Sequence, residues 1–304
     1  HLDYDGCIAA VRQAMMDFTA SGRDQPLRTI IPIGPKKLYG VMPGLLDAPG
    51  GFGAKLVTAF EDPNNPGRVP HRGIATLFDH ETGAVAALPD AAELTEVRTA
   101  AASAMATDVL ARPDARHLAI FGNGAQAASH ARAIARVRAL DSVTICGRSL
   151  DKAQRLADQL STELGMTVRA TTDGGGAAAE ADIICTVTTA SQPVLMGAWV
   201  RPGTHVNVVG SSYAGPVEVD NELVLKSRYI ADSRRSVLAA GSEYLVARDA
   251  GLIDESHILA EIGEVLLGQI TGRASPDDVT LYKSLGHIVQ DLAALHYLRA
   301  KLGS

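Results

Sequence analysis

The stretch His117-Leu-Ala-Ile-Phe-Gly-Asn-Gly-Ala-Gln-Ala127 decides how this chain is read. A short apolar run passes into Gly-x-Gly-x-x-Ala and then into an Ala-rich segment of helical spacing over 125–137. Strand, glycine turn and helix in that order are the layout of a dinucleotide-binding βα unit. Gly122 allows the tight turn, Gly124 lets the backbone approach a pyrophosphate, and Ala127 keeps the helix close to its strand. Asn123, Ala125 and Gln126 complete the turn and the first helical N–H groups, on which phosphates would sit. A second apolar run at 143–146 supplies the next strand that the reading requires.

Working outward, strands at 118–121, 143–146, 167–170, 182–187, 205–209 and 228–231 alternate with helices, which predicts a Rossmann-type doubly wound parallel sheet over 114–279. Gly174-Gly-Gly176 reads as a flexible turn within it. Before Pro113 the rhythm differs. A helix over 5–20 precedes short strands at 28–33, 38–42, 55–60, 74–78 and 85–88, the last two joined by the turn Asp79-His-Glu-Thr-Gly83. A helix over 93–110 then ends near Arg112-Pro113. Residues 1–113 are therefore expected to form a mixed α/β domain. The tail over 275–301 reads as helical, with 280–304 packing back on that first domain.

Composition narrows the function. The chain has 304 residues, 46% hydrophobic and 20% charged, ample for two domains with aliphatic cores, since aromatics make up only 4%. A net charge of −6 without a Lys/Arg run argues against nucleic acid and membrane surfaces as partners. Cys7, Cys146 and Cys185 are scattered and odd in number, the pattern of buried reduced thiols and not of a disulfide framework or metal site. No apolar stretch reaches membrane-spanning length and no signal peptide is evident, so the cytoplasm is expected. The chain opens at His1, at the edge of a helix and without a Met, which leaves room for a preceding segment.

The cofactor type turns on the end of the second strand, where an acid takes the ribose of NAD and a cation suits NADP. Here stands Cys146-Gly-Arg-Ser149, with no carboxylate before Asp151. Arg148 offers a forked donor set to a 2′-phosphate and Ser149 a hydroxyl, which favours NADP over NAD. Arg148 covering an adenine face and Ser149 capping the next helix are the alternatives.

Tyr39-Gly-Val-Met-Pro43, Ala54-Lys-Leu-Val-Thr58, Leu94-Thr-Glu-Val-Arg-Thr-Ala-Ala101, the glycine turn, Gly203-Thr-His-Val-Asn-Val-Val-Gly210, Glu261-Ile-Gly-Glu264 and Lys283-Ser-Leu-Gly286 occur in that order. In these blocks the chain resembles the ornithine cyclodeaminase and mu-crystallin family across nearly its whole length. The resemblance implies a homodimer, paired through the first domain, which also binds the substrate. It implies Arg28, Lys55 and Arg98 at the substrate carboxylate and α-nitrogen, and Thr99, Thr188, Gly210 and Ser284 beside the glycine turn at the cofactor. Three cations would suit an α-carboxylate. Lys55, within an apolar strand, requires a buried partner.

One departure discriminates within the family. Its amine-processing members carry an aspartate two residues past the glycine at position 210, and this chain has Ser212. A serine cannot accept a proton from an ammonium group near neutral pH. The ketimine reductase branch also has serine there, so the expected activity is NADPH-preferring reduction of cyclic α-imino acids. Δ1-pyrroline-2-carboxylate or Δ1-piperideine-2-carboxylate would give L-proline or L-pipecolate. His71 is a candidate proton relay or, equally, a hydrogen-bonding residue at a strand start. An ornithine cyclodeaminase-type lyase and a non-enzymatic NADP-binding, crystallin-like protein are the alternatives.

Overall fold

A computed structural model describes residues 2–35, 37–61 and 71–303, with His71 described by its backbone alone. The first elements are α1 (Tyr4–Ser21), the strands β1 (Thr29–Gly34), β2 (Lys37–Leu46), β3 (Gly51–Phe60), β4 (His71–Phe78) and β5 (Val85–Ala87), and α2 (Ala91–Leu110). The alternating region follows with β6 (His117–Phe121), α3 (Ala125–Val137), β7 (Ser142–Cys146), α4 (Leu150–Leu164), β8 (Thr167–Thr171), α5 (Gly174–Glu180), β9 (Ile183–Thr186) and β10 (His205–Val208). Then come α6 (Asn221–Lys226), β11 (Ser227–Ala231), α7 (Arg234–Ala240), α8 (Ser242–Asp249), β12 (Ile258–Glu261), α9 (Ile262–Leu266), β13 (Val279–Lys283) and α10 (Ile288–Leu302). No helix among the described residues is long and apolar enough to cross a membrane.

The chain divides into two compact units, His1–Thr99 with His287–Ser304, and Ala100–Gly286. The boundary read at Pro113 marks the end of α2, whereas the unit boundary falls inside that helix. The reason is visible in its second half. Residues 100–107 are all buried small or apolar side chains, and two of them bond within the second unit: Ser103 Oγ lies 2.9 Å from His130 Nε2, and Asn207 donates to Thr107 Oγ1 at 3.0 Å.

The first unit is an antiparallel sheet in the order β1-β2-β3-β4-β5, packed against α10, which in turn packs on α1. Alternation sorts its side chains between two faces. Met42, Lys55 and Ala75 lie opposite one another in register on the buried face, at 7%, 2% and 1% exposure. Val41, Leu56 and Ile74 share the other face, which carries exposed apolar side chains including Phe52 and Phe60. Asp3 caps α1 by accepting from Gly6 N–H, and Gly22 ends it in the left-handed conformation.

The second unit is a parallel sheet in the order β12-β11-β13-β10-β9-β6-β7-β8. From β8 through β10 this is the 3-2-1-4-5 order of a dinucleotide-binding sheet, with its switch point between β6 and β9. The expected fold class holds, with two additions. β12 was not read from the sequence, and the tail expected to be helical contains β13, which lies between β10 and β11 in the middle of the sheet. β13 is Val-Thr-Leu-Tyr-Lys, buried throughout, and its polar members need partners that no local pattern reveals. Arg273 donates to Leu110 O (2.7 Å) and Thr280 Oγ1 (3.1 Å), and Thr280 Oγ1 also meets His205 Nδ1 at 3.0 Å. Gly174 to Gly176 are likewise not a turn but the start of α5, because Asp173 caps that helix through Gly176 N–H. The three cysteines are buried and unbridged.

Candidate functional site

The residues read as nucleotide-binding in the second unit stand where its parallel strands end. Gly122 follows β6 with φ at 131°, a conformation open to glycine, and a Cβ there would lie 2.9 Å from the Val187 carbonyl oxygen. Its N–H donates to Cys146 O at 2.9 Å while Val187 N–H donates to Phe121 O at 2.9 Å, so the turn is tied to both adjoining strands. Gly124 is exposed, caps α3 without any side-chain hydrogen bond, and has open space where a Cβ would stand. Ala127 is fully buried against the sheet. Asn123 rests on Gly147, where a Cβ would come within 2.8 Å of its Nδ2. Ala125 and Gln126 form the first turn of α3. A helix N-terminus with its dipole unopposed and an uncovered glycine before it fits a pyrophosphate.

Arg148, past the end of β7, is exposed and makes no hydrogen bond or ion pair with the described residues. Ser149 does cap α4, accepting from Lys152 N–H at 3.4 Å, which leaves its O–H to donate elsewhere. Thr188, Gly210 and Ser284 follow β9, β10 and β13 at the same edge of the sheet. Ser284 is 1% exposed, and its hydroxyl has no partner. Ser212 stands two residues beyond Gly210 and is half-buried.

The first unit brings together Lys55 from β3 and Arg98 from α2 around a residue the sequence reading passed over. Asp291 of α10 is 1% exposed. Its Oδ1 accepts from Lys55 Nζ at 2.9 Å and from Arg98 Nε at 2.8 Å, while Arg98 Nη1 donates to Gln290 Oε1 at 3.0 Å. Two buried cations share one carboxylate, leaving a net positive charge. Burial together with the Arg98 charge brings the Lys55 ammonium down to a pKa of about 7, against the pull of Asp291; the charge of Arg28 acts in the same direction. Burial alone would raise the Asp291 carboxyl, but Arg98 and Lys55 override it and hold it below its ordinary value. Thr99, next to Arg98, has a buried hydroxyl without a partner. The side chain of His71 lies outside the described residues. A carboxylate flanked by Ile288, Val289, Leu292 and Ala293 is the one sequence signal that marks Asp291 as buried and paired.

The model of the ornithine cyclodeaminase/mu-crystallin family matches residues 1–304. The chain belongs to this family. It is 35% identical over 291 residues to the ketimine reductase mu-crystallin of Mus musculus, covering 94% of this chain and 89% of that protein. To a Δ1-pyrroline-2-carboxylate reductase of Bacillus cereus it is 32% identical over 296 residues, with coverages of 97% and 91%. Among solved structures, the Thermococcus litoralis Δ1-pyrroline-2-carboxylate reductase in complex with NADH and L-proline superposes with a TM-score of 0.94. The sequence identity is 31%, with 99% of this chain and 94% of that one covered.

The shared carboxylate orders two substitutions. Asp291→Asn leaves two buried cations facing each other and is expected to cost about 3–5 kcal/mol, whereas Lys55→Met leaves a matched Arg98–Asp291 pair and should cost less. Denaturant unfolding of both variants checks this, and a Lys55→Met chain less stable than Asp291→Asn would contradict it.

Proposed function

We propose that this family member reduces cyclic α-imino acids, Δ1-pyrroline-2-carboxylate or Δ1-piperideine-2-carboxylate, to L-proline or L-pipecolate, with NADPH as the preferred reductant. The carrying observation is the buried Lys55–Asp291–Arg98 cluster, whose surplus positive charge suits an α-carboxylate. Arg98 spends Nε and Nη1 on Asp291 and Gln290, and its Nη2 has no partner among the described residues. Lys55 Nζ likewise bonds only to Asp291, so both cations keep donors for a carboxylate, with Arg28 adding charge. Cations at one end of a conjugated imino acid also favour electron acceptance at its C=N carbon. When bound, the reduced nicotinamide supplies the hydride. Ser212 has no basicity with which to strip an ammonium, which weighs against the lyase reading.

We assign the cofactor to the Ala100–Gly286 unit and the substrate carboxylate to the other. The preference for NADPH rests on the exposed, unpartnered Arg148 and the Ser149 hydroxyl, with no carboxylate at the end of β7. The exposed apolar face of the antiparallel sheet, with Ile31, Phe52, Phe60 and Ile74, supports pairing of two copies into a homodimer.

An NADPH-oxidation screen with five- and six-membered cyclic imino acids tests the activity. Turnover is expected with at least one ring size and with NADPH above NADH, and Arg148→Ala should erode that preference by roughly 1–3 kcal/mol in kcat/KM. No ammonia should appear from L-ornithine; its release together with proline would replace this reading with the lyase.

The depressed Lys55 pKa sets a pH limit. An ammonium with a pKa of about 7 is charged below that value and neutral above it. The kcat/KM for the imino acid, which reports the free enzyme, should therefore fall as pH rises through 7. In Lys55→Arg that fall should be absent, and an identical profile in the variant would remove Lys55 from the role.

For the dimer, sedimentation should give twice the chain mass, and Ile31→Glu should shift it toward monomer. A monomeric unmutated chain would rule the pairing out.

A further inference from the structure

Beneath the strand ends of the second unit lies a buried polar network that the proposed chemistry does not use. Glu218 is fully buried in the segment before α6. Its Oε1 accepts from the N–H of Thr188 at 2.6 Å and from the Thr188 hydroxyl at 2.7 Å. Its Oε2 accepts from Thr186 Oγ1 at 2.9 Å, Gly210 N–H at 2.6 Å and Ser211 N–H at 3.3 Å. One carboxylate thus takes five donors, two residues from the end of β9 and two from the end of β10. The approach is so close that a Cβ on Gly210 would lie 2.1 Å from Thr188 O and 2.5 Å from Glu218 Oε1.

The second loop is fixed from its other side as well. Lys283, buried at the end of β13, donates to Ser211 O at 2.8 Å and pairs with Glu243 Oε2 at 2.6 Å. The Ser211 hydroxyl donates to Glu243 Oε1, which also accepts from Glu218 N–H at 3.0 Å. Ser211 is therefore held by its N–H, carbonyl and hydroxyl, and the next residue is Ser212.

The topology says what this clamp faces. A dinucleotide on such a sheet straddles the switch point, here between β6 and β9. The glycine turn after β6 and Arg148 after β7 occupy the pyrophosphate and adenosine side, so the nicotinamide half falls to the ends of β9 and β10. On the reading that this unit binds a nicotinamide dinucleotide, we propose that Glu218 is a positioning residue for the nicotinamide half, holding the Thr188 and Gly210–Ser212 segments at a fixed separation. The adenosine half, over β6 and β7, receives nothing from it.

This separates Glu218 from a residue that merely holds the fold, because it assigns the loss to one half of a ligand. The experiment compares dissociation constants for NADPH and for 2′-phospho-ADP-ribose, by calorimetry, in the unmutated chain and in Glu218→Gln. The expected result is about tenfold weaker NADPH binding with fragment binding unchanged within twofold. Equal weakening of both ligands, or no weakening of either, overturns the proposal. If Glu218→Gln does not fold, Thr186→Val removes one donor on the β9 side and keeps the carboxylate; the gap between the two ligands should then narrow about threefold, and an unchanged gap overturns the proposal. Failure of the unmutated chain to bind either ligand, or NADH in their place, would instead refute the dinucleotide reading itself.

Discussion

The first unit depends on one carboxylate. Asp291 has lost its water, and the cost of burying it is met only because Lys55 and Arg98 converge on the same oxygen. That convergence fixes β3, α2 and α10 with respect to one another, since each contributes one member. It also sets the chemistry available there, because a second carboxylate would neutralise the cluster and a missing one would force a cation to shed its proton. The charge left over comes from the same three side chains that hold the elements together.

In the second unit the corresponding constraint is convergence at strand ends. Parallel strands all finish on one side, and the side chains that follow them are gathered there whatever their distance along the chain. Gly122, Arg148, Thr188, Gly210 and Ser284 come from five different strands and reach one edge for that reason. The loops that carry Thr188 and Gly210 are not left to find their own geometry. Glu218 and Lys283 satisfy their backbone groups from below, in the way that ordered water would do in a looser structure.

What the sequence discloses and what it withholds follow from the range of the forces involved. The glycine turn is legible because its constraints are local: a positive φ, an uncovered backbone and a small residue one helical turn later. The strands β6, β7 and β9 are legible because burial on both faces writes itself as short apolar runs. β13 escapes because Thr280 and Lys283 are buried through bonds to Arg273, His205 and Ser211, none of them neighbours in sequence. Lys55 declares that a partner must exist, but not that it is Asp291, 236 residues away. The unit boundary inside α2 is invisible for a related reason, since the run of small residues from Thr99 to Ala104 carries no stripe to show which half belongs where.

The position of β13 has a consequence for how the molecule comes into being. β13, which follows every other strand in the sequence, lies between β10 and β11 in the second sheet, and α10, which follows it, supplies Asp291 to the first unit. Neither unit can close before these segments have been made. Until then the flanks of β10 and β11 are open edges, and Lys55 and Arg98 lack their counter-charge. Assembly therefore depends on contacts of long sequence separation, the kind that slow folding.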